Sequence, residues 1–163
     1  MNLVSRLRPL WPLLMMLASG AMLAAAHAFQ RFGGLQPCPM CLDQRNWHWA
    51  AVGVALVALI ATRVSTRVQR AAAIVLGLVL LGSAAQAFYH VAVEQHWVVG
   101  YCDARIDMDD IRPMDFDGAV SAPKCDEIAW QMFGISMAGY NAIISTLLAL
   151  ASFAVGLLPE RKS

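Results

Sequence analysis

Charge is scarce in this chain. Only 14% of its 163 residues are Asp, Glu, Lys or Arg, while 59% are hydrophobic, a balance that excludes an ordinary soluble domain and a disordered segment alike. Glycines never fall into the pattern that cradles a dinucleotide, and no haem-ligand arrangement is present, so a tightly held flavin, nicotinamide or haem is not expected. Internal repeats and low-complexity tracts are also missing. A net charge of +1 says little about partners, because the charges are sorted by position; no nucleic-acid partner is expected. Cysteine is sparse too, at four residues, but their placement is far from random.

What is there in abundance is apolar sequence. Four stretches run without a charge: Leu10 to Phe29, Trp47 to Thr62, Ala71 to Tyr89 and Ile135 to Leu158. A bilayer core of about 30 Å needs roughly 20 helical residues. The first, third and fourth stretches meet that length, and the second does so if its helix starts a turn earlier, among residues 43–46. The expected fold is therefore an all-α membrane protein, a four-transmembrane-helix bundle in one domain over residues 1–163. Its helices would cover about 10–29, 44–62, 71–89 and 135–158. Arg6, Arg8, the first apolar run and Ala26-His27-Ala28 resemble a signal peptide with its cleavage site. The run exceeds most such segments in length, and cleavage would leave Cys38 beside a loose terminus, so an uncleaved helix is expected.

Charge placement orients the bundle. Arg6, Arg8, Arg63, Arg67, Arg70, Arg161 and Lys162 collect on one side, which the positive-inside rule makes the cytoplasm, with both termini there. Nine of the eleven acidic residues fall between Glu94 and Glu127, so the loops 30–43 and 90–134 face outward. The longer loop carries Gly100, Pro113, Gly118, Pro123 and seven aspartates and is expected to be irregular. Asp126 to Phe133 reads as an interfacial segment leading into the last helix, with Trp47, Trp49, Trp97 and Tyr101 in an aromatic belt.

Cys38, Cys41, Cys102 and Cys125 all belong to the outward loops, as expected where an oxidising compartment permits disulfides. A disulfide across the 22 residues between Cys102 and Cys125 would contribute on the order of 3 kcal/mol on the chain-entropy account. Cys38 and Cys41 sit in Pro37-Cys38-Pro39-Met40-Cys41-Leu42 and close too small a loop to stabilise much; exchange suits that spacing better. Cys41 stands just ahead of the second helix, whose free N–H groups and dipole favour a thiolate, and Arg45 follows one turn later. Arg45 could equally anchor the helix at lipid headgroups. A four-thiolate zinc site can be drawn, but the spacing of the second pair is wrong for a usual ribbon, and no metal is expected. Two disulfides in one outer region suggest a relay: an incoming dithiol reduces one, exchange passes electrons to the other, and a lipid-soluble acceptor such as a quinone removes them. Four cysteines permit three pairings, and the sequence does not choose among them.

The chain resembles the bacterial disulfide bond formation protein B (DsbB) family over nearly its whole length. The motifs that carry the resemblance are P-C-P-M-C-L-D-Q-R at 37–45, Tyr89-His90, and C-D-E-I-A-W-Q-M-F-G-I-S-M at 125–137. The resemblance implies a thiol:quinone oxidoreductase of the inner membrane, with ubiquinone or menaquinone as acceptor. Cys102, paired with Cys125, would form a transient mixed disulfide with a periplasmic DsbA-like thioredoxin-fold partner. Cys38 and Cys41 would receive the electrons, Cys41 as the quinone-side thiolate, with Arg45 and His90 at the quinone. Ala138 departs from the family pattern, which often has proline there. The competing readings are a vitamin K epoxide reductase-like enzyme, whose membrane-side cysteine pair is expected late in the chain, and a tetraspan scaffold with structural disulfides. His27, His48 and His96 read as interfacial; Phe32, Leu35 and Met40 are candidates to line a quinone pocket.

Overall fold

The computed structural model describes residues 7–61, 65–102 and 123–158. The expectations placed on Arg6, Thr62, Arg63, the acidic stretch 103–122 with Pro113 and Gly118, Arg161 and Lys162 lie outside the described residues. Among the described residues, four long helices carry the fold. A 3-10 turn at Arg8–Leu10 leads into α1 (Trp11–Gly33); α2 spans Pro39–Ala61, α3 Thr66–Glu94 and α4 Met137–Leu157. Three of these, Arg8–Gly33, Thr66–Glu94 and Met137–Leu157, are long and apolar enough to cross a membrane. α2 is diluted by Asp43, Gln44, Arg45, Asn46 and His48 near its start, and its apolar portion begins at Trp47.

Local chemistry sets the helix ends. α1 runs unbroken through Ala26-His27-Ala28 and stops at Gly34, whose φ of 67° lets its N–H reach the Phe29 carbonyl. Pro39 opens α2 at a position where a missing N–H costs nothing, and Cys38 Sγ accepts from the Cys41 N–H at 3.2 Å, acting as the cap. Ser65 caps α3 through Val68 N–H and Ser136 caps α4 through Gly139 N–H. α3 continues past Tyr89 to Glu94, because Val91 to Val93 carry the apolar pattern on for another turn.

Successive helices are antiparallel, as the pairings show. On α3 and α4, Ser83 meets Ser145 and Arg70 meets Gly156; on α2 and α3, Gln44 meets His90. The contacts are close because the interior is built from small residues. Ala51, Ala55, Ala73, Ala84, Ala87, Ala142 and Ala149 are all buried, while Leu56, Val57, Ile60, Leu78, Leu147 and Leu150 are exposed on the outside. This arrangement suits helices that associate in lipid through backbone proximity rather than through water exclusion. At Gly82 a Cβ would lie 2.7 Å from the Trp47 ring, and at Gly77 it would lie 2.9 Å from Phe153. At the far end, buried Arg8 donates from Nε to the Val155 carbonyl at 3.0 Å, and Arg70 does so to Gly156 at 2.9 Å. Both cations thus sit on the carbonyl end of α4, where the helix dipole favours them.

The segment 126–133, expected as a single interfacial piece, is irregular as far as Trp130. It then forms a two-residue hairpin pairing Gln131 with Ser136 and Met132 with Ile135. Phe133 (φ 52°) and Gly134 (φ 76°) make its turn, with the positive dihedrals such a tight hairpin requires.

Candidate functional site

All four cysteines gather at one end of the bundle. Cys38, Met40, Val93 and Cys125 form a buried cluster against which Cys41, Tyr101 and Cys102 pack. Of the three pairings the sequence allows, Cys102 and Cys125 are joined in a disulfide. Cys38 and Cys41 are free thiols, with sulfurs 2.6 Å apart and so within easy reach of disulfide formation. Tyr101, expected in an aromatic belt, is half-buried. Its hydroxyl donates to Asp43 and accepts from Gln86, its ring stacks on Tyr89, and this holds the residue before Cys102 against the start of α2. Burial, with Asp43 alongside, pushes its phenol up to about 12.

The two free thiols lie ahead of the apolar part of α2 and are not equivalent. The hydrogen bond from Cys38 holds the Cys41 thiol below the usual range, aided by the Cys38 backbone and the nearby positive charge of Arg45 and opposed by burial. The same hydrogen bond and burial push Cys38 well up. Of the two, Cys41 is the one whose thiolate form is favoured and Cys38 the one that keeps its proton. Arg45 is fixed from α1: Nη1 donates to Gln30 Oε1 at 2.6 Å and Nη2 to the Ala26 carbonyl at 3.2 Å.

His90 faces Cys38 rather than Cys41. Its Nε2 donates to Cys38 Sγ at 3.7 Å. A buried chain of side chains sets its tautomer. Gln44 Nε2 donates to His90 Nδ1 at 2.7 Å, Asn141 Nδ2 donates to Gln44 Oε1 at 2.7 Å, and Asn141 Oδ1 accepts from both His48 Nε2 and Ser145 Oγ at 2.9 Å. Because Nδ1 accepts, the proton sits on Nε2, directed at Cys38.

Beside these residues opens a cavity of about 290 Å³. Its walls are largely apolar, from Met22, Leu23, Ala26 and Phe29 on α1 and Ala138 and Ile144 on α4; Cys38, Cys41, Gln44, Arg45, His48, His90, Glu94 and Asn141 supply its polar side. Trp130 and Tyr140 close one rim, with Trp130 packed 4.9 Å from Phe29. Leu35 lines the space. Phe32 does not, pointing outward at 88% exposure, and Met40 is wholly buried beneath the thiols. His48 is a correction to the interfacial reading: it lies 4% exposed in the core because Asn141, 93 residues away, provides its partner. Glu94, counted with the outward acidic residues, is also buried at the end of α3, where it accepts from Ser136 and lines the cavity. His27 bonds its own helix at Leu23, and exposed His96 lies 3.7 Å from Asp126. Sequence reasoning missed Gln44, His48, Glu94 and Asn141. The available signal was helical spacing, since Gln44 and His48 lie one turn apart, as do His90 and Glu94, and polar residues within membrane helices are functional candidates.

A family model described as "Disulfide bond formation protein DsbB" matches residues 8–155. The chain belongs to the DsbB family. It is similar to "Disulfide bond formation protein B" of Aromatoleum aromaticum, at 32% identity over 147 residues and 79% of each chain. The protein of that name from Albidiferax ferrireducens is 28% identical over 85% of this chain and 82% of its own. That from Methylococcus capsulatus is 43% identical over 48% of each. No solved structure matches. Family membership makes the chain a disulfide-forming oxidoreductase, and with three helices able to cross a membrane it is a multi-pass membrane protein. Cys38 Sγ, Cys41 Sγ and one His90 nitrogen lie within 4.8 Å of one another, a cluster that could also ligate a soft metal; in a disulfide-forming family, exchange is the chemistry that uses both thiols.

Proposed function

We propose that this protein oxidises a reduced thioredoxin-fold disulfide donor of the DsbA type and passes the electrons through two cysteine pairs to a membrane quinone, ubiquinone or menaquinone. The observation that carries the reading is the pairing of a closed Cys102–Cys125 disulfide with an open Cys38–Cys41 pair in one cluster, the open pair bordering an apolar cavity. A structural scaffold has no use for two free, unequal thiols in that position.

The residues divide the work as follows. A substrate thiolate attacks Cys102, forming a mixed disulfide and releasing Cys125 as the leaving thiol; the second substrate thiol then resolves it, leaving substrate oxidised and Cys102 and Cys125 reduced. That dithiol reduces the Cys38–Cys41 disulfide by the same exchange, moving two electrons and two protons inward. Cys41 then presents its thiolate to the cavity, Arg45 supplies positive charge, and His90 holds Cys38 between the two pairs. The fit to a quinone rests on the cavity itself, apolar along α1 and lined by Arg45 and Gln44 beside the thiols. A quinone bound there would take up the two electrons and two protons that leave the dithiol.

In this reading the protein sits in the bacterial inner membrane with four spans, both termini cytoplasmic and the cysteine loops periplasmic. α2 serves as the remaining span beyond its polar start: residues 44–61 reach about 27 Å, and Leu56, Val57 and Ile60 are exposed for lipid. The test is quinone reduction, followed by absorbance, with a reduced thioredoxin-fold substrate. Cys41→Ser is expected to abolish it; full activity in that variant refutes the reading.

A further inference from the structure

The stretch that brings Cys102 to the end of the bundle has little apolar burial to hold it. After α3 ends at Glu94, Trp97 and Val99 are exposed, at 75% and 79%. Polar contacts tie the chain down instead. Tyr89 Oη donates to the Val99 carbonyl at 3.1 Å, and the Tyr101 ring stacks on the Tyr89 ring, their centroids 6.2 Å apart. The Tyr101 hydroxyl uses both its capacities: it donates to Asp43 Oδ2 on α2 and accepts from Gln86 Nε2 on α3 at 3.2 Å. Burial and the Asp43 carboxylate push its pKa up to about 12, so the donor persists wherever thiol exchange operates. Asp43 lies two residues after Cys41, and Tyr101 directly precedes Cys102. One side-chain hydrogen bond thus joins the turn that carries the first cysteine pair to the segment that carries the second. Beside it, Cys41, Tyr101 and Cys102 pack against buried Cys38, Met40, Val93 and Cys125.

We propose that Tyr101 is a positioning residue for electron transfer between the two cysteine pairs, its hydrogen bonds to Asp43 and Gln86 docking Cys102 and Cys125 onto the Cys38–Cys41 end of α2. The inference rests on the relay reading and adds to it the contact that makes its inner step fast. In that step a thiolate of the reduced Cys102 and Cys125 pair attacks the Cys38–Cys41 disulfide. A mixed disulfide between the pairs forms, and the second thiol of the attacking pair resolves it. Cys102–Cys125 is left oxidised, two electrons and two protons end on Cys38 and Cys41, and nothing outside the chain is consumed. The rate of such an exchange depends on how often the sulfurs meet in line, and a tether that holds them together raises their effective concentration. Tyr101 acts through the placement of Cys102. A carboxylate near the N-terminus of α2 also meets the helix dipole favourably; that role needs the charge of Asp43, whereas docking needs only its acceptor.

The experiment is an acid-quenched time course on the full chain in nanodiscs, with both pairs oxidised and no quinone added, mixed with one equivalent of a reduced thioredoxin-fold substrate. Free thiols are alkylated and located by peptide mapping. In the parent protein, thiols should appear at Cys38 and Cys41 with little build-up at Cys102 and Cys125. Tyr101→Phe keeps the ring and loses both hydrogen bonds. It should slow the transfer roughly tenfold, about 1.4 kcal/mol, so that reduced Cys102 and Cys125 accumulate, while the initial rate of substrate oxidation stays within about twofold. Asp43→Leu should match it, Asp43→Asn, which keeps an acceptor, should stay nearer the parent, and Tyr101→Phe combined with Asp43→Leu should be no slower than either alone. Transfer at the parent rate in Tyr101→Phe, equal slowing of substrate oxidation and transfer, or a loss in Asp43→Asn as large as in Asp43→Leu overturns the proposal. If Tyr101→Phe does not fold, Asp43→Leu beside Asp43→Asn decides on the same readout. Reduced Cys102 and Cys125 that never pass electrons to Cys38 and Cys41 in the parent protein refute the relay reading itself, a result distinct from an unaffected Tyr101→Phe.

Discussion

Replacing Asn141 with leucine would remove the junction of the buried polar chain. Asn141 makes three side-chain hydrogen bonds, to Gln44, His48 and Ser145, each at 2.7 or 2.9 Å and all buried. Within membrane bundles such a bond averages about 0.6 kcal/mol, so the bonds alone account for about 2 kcal/mol. Leucine also leaves the His48 N–H and the Gln44 carbonyl oxygen stranded, and a buried group orphaned in this way costs about 1–3 kcal/mol. The added apolar surface returns little, because lipid solvates leucine as well as a bundle interior does. Because the penalty for the two orphaned groups, about 1–3 kcal/mol each, already contains the lost bonds, the expected loss is about 2–6 kcal/mol, read by reversible denaturant unfolding in mixed micelles. A chemical consequence accompanies it. Freed from Asn141, Gln44 can turn its amide over, His90 then exchanges tautomers, and Cys38 loses a fixed donor, so transfer of electrons between the two cysteine pairs should slow. Asn141→Leu with stability within about 1 kcal/mol of the parent and an unchanged transfer rate would refute the claim that this chain positions His90.

Two further outcomes are expected. Because the Cys41 pKa is held below its ordinary value, its thiolate persists as pH falls, and alkylation should mark Cys41 before Cys38 at neutral pH; Arg45→Met should move the Cys41 rate profile toward higher pH, by less than Cys38→Ala does, since the Cys38 hydrogen bond is the larger cause. A thioredoxin-fold substrate with a single cysteine should be captured as a mixed disulfide at Cys102, shown by peptide mapping, whereas capture at Cys38 would reverse the order of the relay.

Much of the architecture was legible because membrane burial writes itself into composition. Uninterrupted apolar runs locate helices without any knowledge of their neighbours, although α3 outlasts its apolar run by a turn and α2, with its polar start, falls short of a clear span. The spacing of Cys38 and Cys41, and their place at the mouth of α2 with Arg45 a turn later, was also readable, since helix geometry fixes what lies within one turn. The polar interior was not. His48 beside Trp47 and Trp49 has the appearance of an interfacial residue, and Glu94 borders an acidic loop; only partners on other helices draw them inward.

By itself, then, the sequence determined that this is a helical membrane protein with its cysteines at one end, because hydropathy and local spacing are properties of short segments. The tertiary structure decided that Cys102 closes on Cys125, that His90 faces Cys38, and that Asn141 ties Gln44 to His48 above an apolar cavity. Each of these joins residues tens of positions apart, and their hydrogen bonds exist only once small residues such as Gly77 and Gly82 let the helices approach closely enough to form them.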